Sequence, residues 1–209
     1  MDQENFYVSC KALDFIKQSM HTQMQDVGSI ANILHLNSLV YNVPGDIVEL
    51  GCFEGHTSKL LTLLNPKKNV YVYDSFEGLP PGDKNYKENH QAGIMNAPIE
   101  NLYLNFKNDQ IKLPTINQNF FENLSPLDMP DKISFALLDG DLYSSVYTSL
   151  ELVYNNMSVG GVIIIDDYMS KNWPGVYHAV NNFFHNKIEN PQPLSKIFGE
   201  QQQCYIIKQ

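Results

Sequence analysis

Two apolar runs in the second half of the chain, Phe135–Leu138 and Val162–Ile165, each stop at acidic residues. Asp139-Gly140-Asp141 follows the first and Asp166-Asp167 the second. Between them Val146, Leu150 and Val153 recur at helical spacing, and Gly160-Gly161 reads as the turn that closes the segment. Short unbroken apolar runs suit buried strands. Strand, helix, strand is a unit whose strands lie parallel when they share a sheet. Both strands then finish at the same rim, the edge where open α/β folds bind ligands.

The same pattern opens the chain's first half. Pro44-Gly45 is a turn, Asp46–Leu50 a buried strand, Gly51 to Gly55 a glycine turn, Leu60–Leu64 an apolar helix, and Asn69–Tyr73 a second strand ending at Asp74. Residues 4–41 read as a helical cover in two pieces, broken near Val27-Gly28-Ser29. Ser29 caps the second piece, whose apolar face is Ile33, Leu34, Leu36, Leu39 and Val40. Ser75 to Gly82 is a rigid turn. Residues 83–108 are polar, rich in Tyr and Asn, and weakly periodic, which predicts a partly helical, mobile lid. Thr115–Gln118 is a short strand, Phe120-Phe121 packs inward, and Pro126 to Pro130 is a loop. Trp173-Pro174-Gly175 turns into a helix over Val176–His185 with Val176, Val180, Phe183 and Phe184 inside. Residues 194–207 supply two last strands, LSKIFG and CYIIK, as a hairpin around GEQQQ. No repeat or internal boundary appears, so residues 1–209 read as one domain with N-terminal helices over 1–42.

Four acids at one rim repel one another, and burying any of them costs several kcal/mol. Asp139, Asp141, Asp166 and Asp167 therefore suggest a hard divalent cation, because no Cys or His interrupts the oxygen donors. The glycine turn, Gly51-Cys52-Phe53-Glu54-Gly55-His56-Thr57-Ser58, lets a ligand approach backbone N–H groups at a helix start. Phe53 stands where a dinucleotide fingerprint needs glycine, which argues against a pyrophosphate. Glu49 ahead of the turn suits an ammonium group. Asp74, 23 residues after Gly51, is placed to reach the hydroxyls of a ribose.

The net charge is −9 and all 14 basic residues are Lys, which speaks against a nucleic-acid partner. No apolar run approaches the ~20 residues of a membrane span, and the N-terminus does not look like a signal peptide, so the expected compartment is the cytoplasm. Cys10, Cys52 and Cys204 are widely spaced and read as buried thiols rather than a disulfide or zinc framework.

The ordered motifs E-L-G-C-F-E-G, Y-D-S-F-E-G-L-P, L-D-G-D-L-Y-S-S, G-G-V-I-I-I-D-D-Y and W-P-G-V-x-x-A-V-x-x-F together resemble the macrocin O-methyltransferase family, from about residue 45 to residue 185. The resemblance implies an α/β, Rossmann-like class I methyltransferase fold: a seven-stranded, mostly parallel sheet with an antiparallel last strand. It implies methylation of a sugar hydroxyl on a glycan, nucleotide sugar or glycosylated natural product, with S-adenosylmethionine as donor and a divalent metal, Mg²⁺ by its oxygen ligands. By position, Glu49, Gly51, Gly55, Thr57, Ser58 and Asp74 fall in the cofactor motifs, with Ser75-Phe76 and Asn119-Phe120 near the adenine. Asp139, Asp166 and Asp167 correspond to the metal ligands, Asp139 also bordering the cofactor, and Asp141 to the general base. The family often carries Arg after W-P-G, where this chain has Val176, Tyr177 and His178, and a glycine where it has Asn119. A homo-oligomer and a small-molecule or saccharide substrate are further implications.

The residues leave rivals open: a catechol-type acceptor, a nicotinamide-dependent reductase, or a binding protein that has kept the fold. His90 in the expected lid is a rival base, His56 more plainly a helix-start residue, and Tyr143 and Tyr168 flank the acids as core or ligand contacts.

Overall fold

The computed structural model describes residues 27–107, 111–194 and 202–209. In chain order they form α1 (Val27–Leu39), β1 (Asp46–Leu50), α2 (His56–Leu64), β2 (Val70–Asp74), α3 (Ile99–Lys107), β3 (Thr115–Gln118), β4 (Ile133–Leu138), α4 (Tyr143–Val153), β5 (Met157–Ile165), α5 (Pro174–Phe184), β6 (Gln192–Pro193) and β7 (Cys204–Ile207), with short 3₁₀ turns between. The seven strands make one sheet in the order β3-β2-β1-β4-β5-β7-β6. The first five in that order run parallel, and β7 inserts antiparallel between β5 and β6.

Alternation along the central strands builds the two cores. Val48, Leu50, Ala136, Leu138, Ile163 and Ile165 face α4 and α5 on one side. Ile47, Val72, Phe135, Leu137, Val162 and Ile164 face α1, α2 and α3 on the other. Strands covered on both faces read as continuous apolar runs, which is why β4 and β5 stand out in the sequence. No helix among the described residues is long and apolar enough to cross a membrane.

Several sequence expectations are corrected. α1 is unbroken through Gly28 and Ser29, so Ser29 lies inside its first turn rather than capping it. Leu39 is half exposed, while Ile30, Ile33, Leu36 and Val40 are buried. The earlier helical piece falls outside the described residues. Gly160 and Gly161 do not close a turn; they lie within β5, where the pairing with β4 shifts register between Ile133 and Phe135. Gly160 takes φ +81°, a conformation suited to a bulge. The hairpin's first strand is Gln192–Pro193, ahead of LSKIFG, and residues 195–201 fall outside the described residues.

Candidate active site at the carboxyl rim of the sheet

The register brings the parallel strands to a level finish. Leu50 pairs with Tyr73 on one side and Leu138 on the other, and Leu138 pairs with Ile165. One step further, Gly51 N–H donates to Tyr73 O (2.9 Å), Asp139 N–H to Leu50 O (2.8 Å), Asp166 N–H to Leu138 O (2.9 Å) and Asn119 N–H to Asp74 O (2.9 Å). Gly51, Asp74, Asn119, Asp139 and Asp166 therefore stand along one edge. The strand order reverses there between β1 and β4, which makes the edge a topological switch point.

A cavity of about 370 Å³ opens at this edge. Of the residues the sequence singled out, Gly51, Thr57, Asp74, Ser75, Asn119, Phe120, Asp139, Asp141 and Asp167 line it. Glu49, Gly55, Ser58, Phe76 and Asp166 do not. Phe120 and Phe121 form half-buried cavity wall instead of packing fully inward. The sequence reading passed over Leu79, Pro80, Met95, Ser145 and Trp173, which complete the wall. Leu79, Pro80, Ser145 and Trp173 had a signal in their places in the Y-D-S-F-E-G-L-P, L-D-G-D-L-Y-S-S and W-P-G motifs, and Met95 had none. Neither His90, which meets Trp173 edge-on with ring centroids 5.4 Å apart, nor Tyr143 nor Tyr168 lines the cavity.

The glycine turn is shaped by close approach. Gly51 has φ +87°, and a Cβ there would fall 1.9 Å from the carbonyl oxygen of Asp139. Asp74 holds the turn from below. Its Oδ2 accepts from Cys52 N–H (2.9 Å) and Phe53 N–H (3.0 Å), and its Oδ1 from Phe76 N–H (2.8 Å). A carboxylate offers about four lone-pair sites, so the backbone takes most of this one's capacity and a ribose would share the remainder. Glu49 is buried behind the turn, where its Oε2 accepts from the Ser58 hydroxyl. Burial, with the nearby negative charge of Asp74, pushes its carboxyl up to about 8 against the lowering effect of Ser58. A neutral, enclosed Glu49 does not present the charge expected for an ammonium group at the cavity surface. His56 sits 3.7 Å from Glu54, and burial lowers its basicity.

On the β4 and β5 side, Asp139, Asp166 and Asp167 each offer a carboxylate oxygen, all within 4.8 Å of one another. Burial, followed by the charge of Asp166, holds the Asp139 carboxyl well above the usual range. Burial and then Asp167 do the same for Asp141, and burial raises Asp167. Asp141 and Asp167 adopt left-handed backbone, φ 61° and 54°, a conformation that costs a non-glycine residue local strain. Three hard oxygen donors at this separation fit Mg²⁺ or another hard dication. Among the described residues that line the cavity are six carboxylates (Glu54, Asp74, Glu122, Asp139, Asp141 and Asp167) and no lysine.

The switch-point cavity, the glycine turn and the antiparallel penultimate strand define the Rossmann-like fold of class I S-adenosylmethionine methyltransferases. The same fold appears in the solved O-methyltransferase NovP (24% identity, TM-score 0.72, covering 87% of this chain and 80% of that one). It appears also in the calicheamicin methyltransferase CalS11 (16% identity, TM-score 0.69, 99% and 93%). The profile of the macrocin-O-methyltransferase (TylF) family matches residues 22–202, and the chain belongs to that family. Its relatives include demethyldecarbamoylnovobiocin O-methyltransferase of Streptomyces niveus, 32% identical over 61% of this chain and 54% of that protein. A rhamnosyl-tetracenomycin C 4'-O-methyltransferase of Streptomyces olivaceus is 32% identical over 62% and 55%. The chain spans about half the length of these curated relatives.

Proposed function

We propose that the chain is an S-adenosylmethionine-dependent O-methyltransferase that methylates a sugar hydroxyl with the help of a divalent cation. The single observation that carries this reading is the meeting, in one cavity, of the β1 glycine turn with the acid cluster ending β4 and β5. The glycine turn, Asp74, Ser75, Asn119 and Phe120 hold the donor, and Asp139, Asp166 and Asp167 hold the cation. When bound, the donor supplies an activated methyl group and the cation lowers the acidity barrier of the acceptor hydroxyl. Asp141 takes the proton that leaves that hydroxyl, and its position beside Asp139 and Asp167 fixes the direction of approach. Burial and the charge of Asp167 raise the Asp141 carboxyl while the cluster's own charges stand unbalanced. It becomes a competent base once those charges are balanced.

The sign of the cavity supports a cationic donor and weighs against an acceptor carrying a diphosphate. We therefore favour a finished glycoside over a nucleotide sugar. The name of the Streptomyces olivaceus relative, whose acceptor carries a rhamnosyl group, agrees with that choice. Cytoplasmic residence and a homo-oligomer belong to the same reading. The test is methyl transfer from labelled S-adenosylmethionine to glycosides with vicinal hydroxyls, with and without Mg²⁺. Turnover that stops in chelator and returns with Mg²⁺ is expected. Full activity in excess chelator would overturn the cation's part.

A further inference from the structure

α4, the helix that follows the acid turn, begins without a cap of its own. Its N-cap residue is Leu142, whose side chain makes no capping hydrogen bond, so the N–H of Tyr143 needs an acceptor from elsewhere. Glu88 provides it from a distant segment. Glu88 Oε1 accepts from Tyr143 N–H at 2.6 Å, and Oε2 accepts from Asp83 N–H at 2.9 Å. The side chain is only 2% exposed. Gly175 of the W-P-G turn leaves room for it, since a Cβ there would fall 1.8 Å from Oε1. Beside this contact Tyr86 stacks flat on Tyr143, with ring centroids 3.8 Å apart and planes 6° apart.

Three parts of the chain thus converge on one buried carboxylate: the segment carrying Leu79, Pro80 and Met95 over the cavity, the start of α4 two residues after Asp141, and the start of α5. A carboxylate at a helix N-terminus is favourable both as an acceptor and against the helix dipole. We infer that Glu88 is a positioning residue for the proposed reaction. It sets the Asp139–Tyr143 turn and the segment covering the cavity in one fixed relation, so the base and the donor's cover are placed together. Its part in transfer rests on Asp141 acting as the base; its part in holding the two segments does not.

Hydrogen exchange followed by mass spectrometry on the full chain tests this, alongside Mn²⁺ titration. In Glu88→Ala, residues 139–147 and 83–95 should both exchange at least tenfold faster while residues 56–64 stay at the wild-type rate. Mn²⁺ affinity should fall about tenfold, and S-adenosylhomocysteine affinity should fall with it as the cavity wall carrying Leu79, Pro80 and Met95 loosens. Glu88→Gln keeps one acceptor oxygen but turns its amide N–H₂ toward the other backbone donor, so it should loosen one of the two segments and not both. The inference is overturned if neither segment accelerates in Glu88→Ala, or if all segments accelerate alike through lost global stability. If exchange behaves as expected but the wild-type chain takes up no Mn²⁺, Glu88 keeps its positioning role and the cation reading of the site fails.

Discussion

Gly51 sits where any side chain would strike the protein's own backbone. Its positive φ and the 1.9 Å approach of a notional Cβ to Asp139 O bring β1 and β4 close enough to share a cavity. Gly51→Ala should therefore destabilise the fold by about 3 kcal/mol or more, read in urea unfolding, because the clash is with backbone and cannot be relieved by a rotamer change. Glu49 gives a second residue-scale prediction. Its carboxyl is raised from 4.5 to about 8 in the folded chain. Between those values the folded state holds a proton that the unfolded state has released. Its contribution to stability is thus whole below 4.5 and declines as pH rises toward 8, by at most ~1.4 kcal/mol per unit. Glu49→Gln, neutral throughout, should lose that part of the slope and gain on the wild type between about pH 5 and about pH 8 in paired urea titrations. Parallel slopes for the two proteins would show that the carboxyl is not held protonated.

At the scale of elements, Asp74 works as a joint between β2 and the turn that starts α2. It satisfies three backbone N–H groups at once, on Cys52, Phe53 and Phe76. Removing the acceptor leaves donors with poor access to water, at about 1–3 kcal/mol for each one left unsatisfied. Asp74→Ala should weaken S-adenosylhomocysteine binding at least tenfold in calorimetry, through the loosened turn as much as through a lost ribose contact. Asp74→Asn, which keeps one carbonyl oxygen, should fall between. Unchanged affinity in the alanine variant would remove the turn from the donor site. The segment expected to be a mobile lid is also explained at this scale. It holds a 3₁₀ turn at Lys84–Tyr86 and the helix α3, and it is tied back by Glu88 and by Gly93 N–H to Leu79 O at 2.9 Å.

For the whole molecule, the proposed cation site would couple cation binding to pH. Asp139, Asp141 and Asp167 are all raised, chiefly by burial, so protons would compete with a cation at the proposed site. Raised acids contribute stability that is present at low pH and lost as pH rises. A bound cation would restore it where the acids are ionised. Added Mg²⁺ should therefore raise the melting temperature more at about pH 8 than at about pH 5.5, with the increment following the logarithm of concentration. Asp139→Ala should abolish the increment while sparing S-adenosylhomocysteine affinity within about threefold. A Mg²⁺ effect independent of pH would mean that the ion binds elsewhere.

The sequence by itself determined where the parallel strands end and which residues follow them. β1 was legible to the residue and β2 to within one because strands buried in the sheet's centre must be largely apolar, while β3, the polar edge strand Thr115–Gln118, was legible despite its exposure. The motifs at the ends of β1, β2, β4 and β5 carry Gly51, Asp74, Asp139, Asp141 and Asp167, all of which line the cavity. Register decided the rest. Whether Glu49 faces the cavity or Ser58 depends on which side of β1 it emerges from, and a single residue of alternation settles that in space without marking the sequence. The bulge at Gly160 looks in one dimension like a turn, since both need the same backbone freedom. Glu88 lies in a polar stretch with no periodicity. Its importance comes only from Tyr143, far along the chain, whose helix lacks a local cap. Local chemistry is written residue by residue, but a partner 55 positions away is chosen by packing, and packing exists only once the chain has folded.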